Sequence, residues 1–298
     1  MGRNDFAHDL RPTADLCSLL RPPCDVSMAG LDPNATPGYP QRHKKEATLL
    51  TDTIGPELSD WQEKLYASSK NPDEPTRSIL VILQGLDTAG KGGIIRHVFS
   101  LMDPQGIKLH AFKQPTQEEL SHDFLWRIAR QLPTPGMIGI FDRSQYEDVL
   151  VVRVDELVPQ SVWEERFDQI NQFEAEVVQS GTTIIKCFLH ISADEQKARL
   201  LERVQNPTKH WKYSSNDVKV RAKWDHYMQA YTDVLNRCNT DIAPWYVIPS
   251  NRKWYRNWAV ANLLLAHLVK MNPSWPQAQF NIAEEIARVE ESLSVALN

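Results

Sequence analysis

Hydrophobic residues fall into short continuous runs along the chain, separated by stretches in which apolar positions recur at helical spacing. Five of these runs predict β-strands, at residues 78–83, 107–112, 137–141, 183–190 and 245–248. Continuous rather than alternating apolarity, as in 79–83 and 184–189, is typical of strands that are buried on both faces. Strands that alternate with helices in this way predict an α/β fold, a three-layer sandwich with a mostly parallel five-stranded sheet.

The first 50 residues lack this regularity. They contain six prolines and no sustained periodicity, so we expect residues 1–50 to form an extended or poorly ordered N-terminal arm. A helix is predicted to begin at Glu57, because Leu58, Trp61 and Leu65 follow at helical spacing. Residues 51–298 are interpreted as a single domain, since no internal repeat divides them.

Composition argues against several classes of protein. The 298 residues are 42% hydrophobic and 24% charged, which is ordinary for a globular domain. The formal net charge of −5 argues against general binding to nucleic acid or to a membrane surface, so neither partner is expected. The four cysteines lack zinc-like spacing, and no apolar stretch has the length of a membrane span or the position of a signal peptide. These features predict a cytoplasmic protein that holds anionic ligands with local clusters of charge.

A phosphate-binding loop is predicted directly after the first strand. Residues 85–92 read GLDTAGKG and precede a helical pattern, which is the context of a P-loop, or Walker A motif. Inward-facing N–H groups, the positive end of the helix and the Lys91 charge would bind phosphate there. The predicted binding residues are Gly85, Thr88, Ala89, Gly90, Lys91 and Gly92. Gly92 stands where a Ser or Thr would hold magnesium, so Asp87 is a candidate metal ligand; the alternative is a tight turn followed by a solvated lysine.

A second motif lies at the end of the third strand. Residues 136–144 read GMIGIFDRS, an apolar strand that ends in Asp142 and Arg143. A carboxylate in this position is how a Walker B strand presents a ligand to the magnesium of a bound phosphate, and Arg143 would point at the transferring phosphoryl group. The alternative is that Asp142 caps the next helix and that Arg143 lies on the surface.

Basic residues concentrate around NPTKHWK, at 206–212. Pro207 is expected to end the helix that begins near Ala193, and the polar stretch up to Asp217 predicts an exposed helical lid at about 203–220. Such a lid would exclude water and add positive charge near a transferring phosphoryl group. The basic residues are Arg199, Arg203, Lys209, Lys212, Lys219, Arg221 and Lys223. The alternative is an ordinary solvated helix face.

Together with FKQPT (112–116), FDRSQYEDVLVVRV (141–154) and APWYVIP (243–249), these motifs resemble those of type 2 polyphosphate kinases over residues 78–269. The resemblance implies a P-loop kinase-like fold similar to that of thymidylate kinases. It also implies transfer of phosphate from inorganic polyphosphate to nucleotides with Mg²⁺, or with Mn²⁺ in its place. The catalytic residues that it implies are Asp87, Lys91, Asp142, Arg143 and Arg203, with Asp87 and Asp142 as metal ligands and Lys209 and Lys212 on the lid.

The same resemblance bears on the acceptor nucleotide. Residues 146–149, YEDV, look like those of the branch that phosphorylates both nucleoside mono- and diphosphates, since members that prefer diphosphates have Asn where Glu147 stands. That branch usually has Asn at 142 and His at 145, whereas this chain has Asp142 and Gln145. The expected partners are polyphosphate, AMP, ADP and, as a further class, guanine nucleotides. A homo-oligomer, either a dimer or a tetramer, is also expected.

The resemblance favours direct in-line transfer. The acceptor phosphate would lie at the P-loop, and the polyphosphate end would thread beneath the lid past Lys91, Arg143 and Arg203. Two other functions fit the same motifs: an ATP-dependent nucleotide kinase, and a phosphate-binding regulatory module without catalysis. The intact set of Asp87, Lys91, Arg143 and Arg203 argues against the regulatory module.

Overall fold

A computed structural model of the protein describes residues 11–40, 44–71 and 77–295. At its centre is a five-stranded sheet in the order β2-β3-β1-β4-β5, and every strand pair in it is parallel. The strands are β1 Ser78–Gln84, β2 Ile107–Ala111, β3 Ile138–Asp142, β4 Thr182–His190 and β5 Trp245–Pro249. All five predicted strands are confirmed to within one or two residues at each end, and so is the α/β fold class.

Helices cover both faces of the sheet. The longer ones are α2 Lys44–Ser68, α7 Gln160–Gln179, α8 Ala193–Gln205, α10 Trp224–Arg237, α11 Lys253–Met271 and α12 Ile282–Val295. The shorter ones are α1 Leu16–Leu20, α3 Lys91–His97, α4 Gln117–Leu120, α5 Trp126–Ala129, α6 Val151–Val154 and α9 Asn216–Ala222. Short 3₁₀ turns lie at Met28–Gly30, Phe99–Leu101, Pro104–Gly106, Gln145–Asp148 and Pro207–Lys212.

Alternate residues of the central strand point into two separate cores, as the geometry of a strand requires. Ile79 and Val81 pack with α2, α3 and α11 on one face, and Leu80 and Ile82 contribute to the core on the opposite face. β1 is buried along its whole length, which is why its sequence is continuously apolar. The result is the three-layer sandwich that the sequence predicts.

The topology creates a crevice at one edge of the sheet. The helix after β1, α3, packs on one face, while the helix that leads from β3 to β4, α7, packs on the other. Leu83 pairs with both Asp142 of β3 and Cys187 of β4, so β1 and β3 end at nearly the same level while β4 continues to His190. In open parallel sheets, ligands bind where neighbouring connections diverge in this way.

The N-terminal region differs from the expectation of an extended or poorly ordered arm. Residues 1–10 and 41–43 lie outside the described residues, but 11–40 pack on the domain and bury Leu16, Leu20 and Tyr39. These apolar side chains are too widely spaced to show a period, so only tertiary contacts reveal their role.

The first long helix also starts earlier than predicted. α2 begins at Lys44 rather than Glu57 and passes through Pro56. The apolar spacing that predicts the helix begins only at Leu58, so it gives no sign of the turns before Pro56, although a proline in a helix interior costs a hydrogen bond.

Pro207 ends a helix as predicted, because α8 stops at Gln205 and a 3₁₀ turn follows from Pro207 to Lys212. Across the described ranges, none of the helices combines the length and the apolar character that crossing a membrane requires. The segment predicted to be a lid, 203–220, consists of the end of α8, this 3₁₀ turn and most of α9.

Candidate active site

The P-loop connects the carboxyl end of β1 to α3, in the context that the sequence predicts. Thr88 has a φ of 69° and Gly90 a φ of 117°, so the loop turns sharply before Lys91 begins the helix. Among the described residues, no acceptor receives the backbone N–H groups of Gly90, Lys91 and Gly92. Three free N–H groups in succession are the arrangement that binds phosphate oxygens.

Two side chains of the loop complete this surface. Lys91 is only 9% exposed, and its Nζ donates to the carbonyl of Gly85 at 2.8 Å across the loop. The hydroxyl of Thr88 is buried and finds no hydrogen-bond partner within the described part of the chain. A buried hydroxyl without a partner is costly, so a ligand that bonds to it would stabilise the loop.

Arg143 joins the P-loop to the end of β3. Its backbone is left-handed, with a φ of 67°, and its N–H donates to the carbonyl of Leu83 at 3.1 Å. A non-glycine residue in this region stores about 1 kcal/mol or more of strain, which is common at functional sites. The strained turn brings Nη2 of Arg143 within 3.1 Å of Oδ1 of Asp87 and Nη1 within 3.6 Å of Oε2 of Glu147.

Negative charge therefore surrounds the Arg143 guanidinium. Glu147 raises the pKa of Arg143 most, and Asp87 and Asp142 raise it further, which together outweighs the effect of burial. The Asp87–Arg143–Glu147 cluster brings together three residues that the sequence predicted separately. Arg143 is thus held at the crevice by two carboxylates, with 38% of its side chain exposed.

Asp142 lies at the carboxyl end of β3 beside this cluster. Ser144, not Asp142, caps the following 3₁₀ turn, since its hydroxyl accepts from the N–H of Tyr146. Within the described ranges, the Asp142 carboxylate takes part in no hydrogen bond or ion pair, whereas Asp87 contacts Arg143 alone. Both carboxylates keep oxygen atoms free, as a Mg²⁺ site completed by water and phosphate oxygens requires.

The described residues contain no group of three or more acidic, His or Cys side chains arranged to hold a metal. A pair of carboxylates suits Mg²⁺ better than a site built from three or more protein side chains, because bound Mg²⁺ keeps several waters and also binds substrate phosphates. Gly92 leaves open space where a side chain would begin, so packing does not exclude a Ser or Thr at that position.

The predicted lid residues lie above the crevice with local partners. Nη1 of Arg203 donates to the carbonyl of Lys212 at 3.0 Å and to Asp217 at 3.2 Å. Burial, followed by the negative charge of Asp87, raises the pKa of Asp217, so this carboxylate lies within electrostatic reach of the P-loop. Arg203 is thereby connected to the cluster through Asp217.

Lys209 and Lys212 stay within the lid itself. Lys209 pairs with Glu202, and Nζ of Lys212 lies 4.8 Å from the centre of the Trp211 ring. Their contacts do not bring them to the Asp87–Arg143–Glu147 cluster, and their roles toward a ligand remain predictions.

A cleft opens from the cluster toward the lid. Asp87, Arg143 and Glu147 form its charged end, and Asn216 and Val220 come from the lid side. Its apolar wall consists of Leu86, Leu150, Val151, Tyr227 and Tyr231. A cleft that is charged at one end and aromatic along its wall fits a ligand with a phosphate and an apolar, planar part.

Comparison with known proteins identifies the family. A family model described as Polyphosphate kinase 2 (PPK2) matches residues 43–276. The chain belongs to the polyphosphate kinase 2 family. It is 42% identical over 260 residues to a protein of Meiothermus ruber named AMP/ADP-polyphosphate phosphotransferase, covering 87% of this chain and 95% of that protein.

Two further comparisons support the match. A Rhodopseudomonas palustris protein named ADP-polyphosphate phosphotransferase is 39% identical, over 79% of this chain and 84% of that protein. The crystal structure of polyphosphate kinase 2 from Arthrobacter aurescens TC1 superimposes with a TM-score of 0.91 at 48% identity, covering 95% of this chain and 99% of that one. The family resemblance and the fold predicted from the sequence are confirmed.

One basic residue of the chain lies elsewhere than expected. Arg199 was grouped with the lid, but it is 6% exposed and lies under the P-loop. Its guanidinium donates to the carbonyls of Thr88 and Ala89 at 2.8 and 3.1 Å, and to those of Ser250 and Asn251 at 2.6 and 3.0 Å. Arg199 therefore connects the P-loop to the residues that follow β5. The distribution of charged residues along the sequence gives no sign of this contact.

A buried network beneath Glu147 was also missed. Gln145 and Tyr146 both donate to Oε1 of Glu174, at 2.9 and 2.7 Å, and Lys186 pairs with Oε2 of the same carboxylate at 2.6 Å. Lys186 and Glu174 are 0% and 1% exposed, and removal of one member of such a pair is strongly destabilising. The network anchors the turn that carries Glu147. The only signal in the sequence is a lysine within an apolar strand.

Proposed function

We propose that this chain transfers the terminal phosphate of inorganic polyphosphate to AMP and to ADP. The observation that carries the proposal is the Asp87–Arg143–Glu147 cluster, which meets the free N–H groups of the P-loop at one crevice in a polyphosphate kinase 2 family member. Since two polyanions must approach closely, the barrier is mostly charge repulsion and desolvation. The positive charges of the buried Lys91 and of Arg143 reduce this repulsion.

The transfer is direct and in line. The acceptor phosphate lies against the loop N–H groups, and Lys91 binds a phosphate oxygen in place of the Gly85 carbonyl. Arg143, held by Asp87 and Glu147, faces the transferring phosphoryl group and stabilises the charge on it. Arg203 adds positive charge from the lid and shields the site from water. An oxygen of the acceptor phosphate forms the new P–O bond as the bond to the polyphosphate chain breaks.

Asp87 and Asp142 are the residues that would hold Mg²⁺, or Mn²⁺ in its place. The free oxygen atoms of both carboxylates support this assignment. The bound ion supplies charge neutralisation between the two phosphate chains.

The cleft beyond Glu147 would hold the nucleoside of the acceptor. Leu86, Val151 and Tyr231 offer an apolar wall for a base, and Asp155 offers an acceptor for ribose hydroxyls. None of these four groups is placed to distinguish adenine from guanine by hydrogen bonds to the base. We therefore include guanine nucleotides among the proposed acceptors.

Glu147 bears on the choice between mono- and diphosphate acceptors. Its carboxylate lies 3.6 Å from Arg143 at the charged end of the cleft, where a second acceptor phosphate would otherwise lie. The relatives reported above are named for AMP/ADP and for ADP, so both acceptors occur among them. We further infer a homo-oligomer located in the cytoplasm.

Product chromatography tests the proposal. Purified protein is incubated with polyphosphate, Mg²⁺ and AMP in the absence of ATP, and in parallel with ATP and AMP in the absence of polyphosphate. ADP followed by ATP from the first mixture supports the proposal. Conversion with ATP alone favours the ATP-dependent kinase, and binding without any product favours the regulatory module.

A further inference from the structure

Arg256 of α11 is a buried cation behind the P-loop. Arg256 is 3% exposed, and Nη1 of its guanidinium donates to the carbonyl of Ala89 at 3.3 Å. Nε and Nη2 donate to the side-chain carbonyl of Asn257 at 3.2 and 2.8 Å. No motif in the sequence singles out this arginine.

The guanidinium occupies the space that side chains of the loop would need. A Cβ atom at Gly90 would lie 1.7 Å from Nη1 of Arg256, and one at Gly93 would lie 2.5 Å from Nη2. A side chain at either position would therefore have to displace the guanidinium of Arg256. P-loop glycines are usually explained by the approach of phosphate, but these two also make room for Arg256.

The charge of Arg256 is not balanced by the protein around it. Within the described part of the chain, no carboxylate lies within 4 Å of its guanidinium, while Arg199 shares the Ala89 carbonyl with it. Burial and the positive charge of Arg199 lower the pKa of Arg256 to about 9. A buried cation without a counter-charge is costly, so an anion bound nearby would stabilise it.

The peptide geometry gives the direction in which that anion would lie. In a planar trans peptide the C=O and the following N–H point in opposite directions. Because Arg256 and Arg199 hold the Ala89 carbonyl, the N–H of Gly90 points away from them, toward the free side of the loop. The two arginines therefore back the surface on which the free N–H groups lie.

We propose that Arg256 is a positioning residue of the P-loop, which holds the Ala89 carbonyl, fills the space behind Gly90 and Gly93, and lends positive charge to phosphate bound on the opposite side. This role rests on the proposed phosphotransfer at the same loop. It predicts that Arg256 and Gly93 depend on each other, and that the charge of Arg256 contributes to the affinity for phosphate chains.

A double-mutant cycle tests the first prediction. Gly93→Ala alone should lower kcat/KM for AMP with polyphosphate by about tenfold or more, because the new methyl group displaces the guanidinium. In an Arg256→Ala background the same change should cost less than about twofold, because the space is then free. Thermal unfolding of each variant verifies that it is folded. Equal costs of Gly93→Ala in both backgrounds, in an active enzyme, would overturn the positioning role and leave the proposed function intact.

Calorimetry with inorganic tripolyphosphate tests the second prediction without turnover. Arg256→Gln should weaken the affinity about tenfold, whereas Arg256→Lys, which keeps the charge, should stay within about threefold of wild type. Arg237→Gln, which removes an exposed charge whose contacts lie on α7 and its Phe167 ring, is the matched control and should have little effect. Equal losses for the Gln and Lys variants, or unchanged affinity for both, would contradict a role of the Arg256 charge.

Discussion

The P-loop and the predicted lid both carry basic side chains, but they hold them in different ways. We refer to residues 85–92 with Asp142 and Arg143 as the floor. Within the floor and its support, Lys91 and Arg199 are 9% and 6% exposed and are bound to backbone carbonyls. In the predicted lid, Trp211 is 78% exposed, Lys209 pairs with Glu202 of α8, and Lys212 lies over the Trp211 ring.

This difference separates two tasks. The floor is fixed before any ligand arrives, as stabilisation of a transferring phosphoryl group requires. The lid pairs, such as Lys209 with Glu202, are partly exposed, and ion pairs of this kind typically contribute about 0–1 kcal/mol. A lysine of the lid can therefore leave its carboxylate and bind a phosphate group at little cost in free energy. We expect changes in the lid to alter mainly the affinity for polyphosphate, and changes in the floor to alter mainly kcat.

The largest effect is expected in the floor. Lys91→Ala should lower kcat by about a hundredfold or more, equivalent to about 3 kcal/mol of transition-state stabilisation. Its hydrogen bond to Gly85 contributes about 1 kcal/mol to folding, so the melting temperature should change little. Lys64→Ala, which removes an ion pair to Asp60 on α2, is the control. Activity of the folded Lys91 variant within about twofold of wild type would remove Lys91 from the mechanism.

A smaller effect is expected in the lid. Arg203→Ala should raise the KM for polyphosphate about tenfold with a lesser fall in kcat, because Arg203 is proposed to bind the polyphosphate chain rather than the P-loop phosphate. The affinity of the wild type for polyphosphate should also weaken as salt rises, more steeply than that of the variant. Steady-state kinetics at several salt concentrations measure both. A salt-independent KM in the wild type would show that the basic residues of the lid are merely solvated.

A selective effect is expected at the border between floor and cleft. Glu147→Asn should shift the ratio of AMP to ADP phosphorylation about tenfold toward ADP, the size of one hydrogen bond to a charged group. The measurement is the pair of kcat/KM values for the two acceptors, with Glu156→Asn as a control outside the cleft. If the ratio does not move, Glu147 does not select the acceptor.

The smallest effect concerns the support of the floor by the N-terminal region. His190, at the end of β4, contacts the carbonyl of Leu31 at 3.1 Å, and burial lowers its pKa. Because the folded-state pKa lies below the ordinary value, the unfolded chain binds the proton first, and stability is lost as pH falls below about 6.5.

His190→Gln should make the loss of stability between about pH 7.5 and about pH 5.5 smaller than in the wild type. Urea unfolding at both values measures it, with the exposed His226→Gln as the matched control. An unchanged pH dependence in the His190 variant would assign the loss to other groups, such as His267, whose pKa burial also lowers.

The same comparison explains what could be predicted from sequence. The floor could be predicted because its loop and strand signals are local: a continuous apolar run, glycines, and charged residues directly after a strand. The support of the floor could not, because Arg199 and Arg256 reach the P-loop from α8 and α11, more than 100 residues away along the chain. Likewise, Leu16 and Tyr39 are buried by tertiary contacts that leave no period in the sequence.

The most direct test of the account follows the phosphate itself. Polyphosphate labelled at its phosphorus atoms is mixed with unlabelled AMP, Mg²⁺ and wild-type or Lys91→Ala protein, and the reaction is quenched within one turnover. The account predicts label in the β-phosphate of ADP, no label on the protein, and almost no transfer by the Lys91 variant. Label on the protein, or equal transfer by the variant, would contradict direct in-line transfer on a floor that includes Lys91.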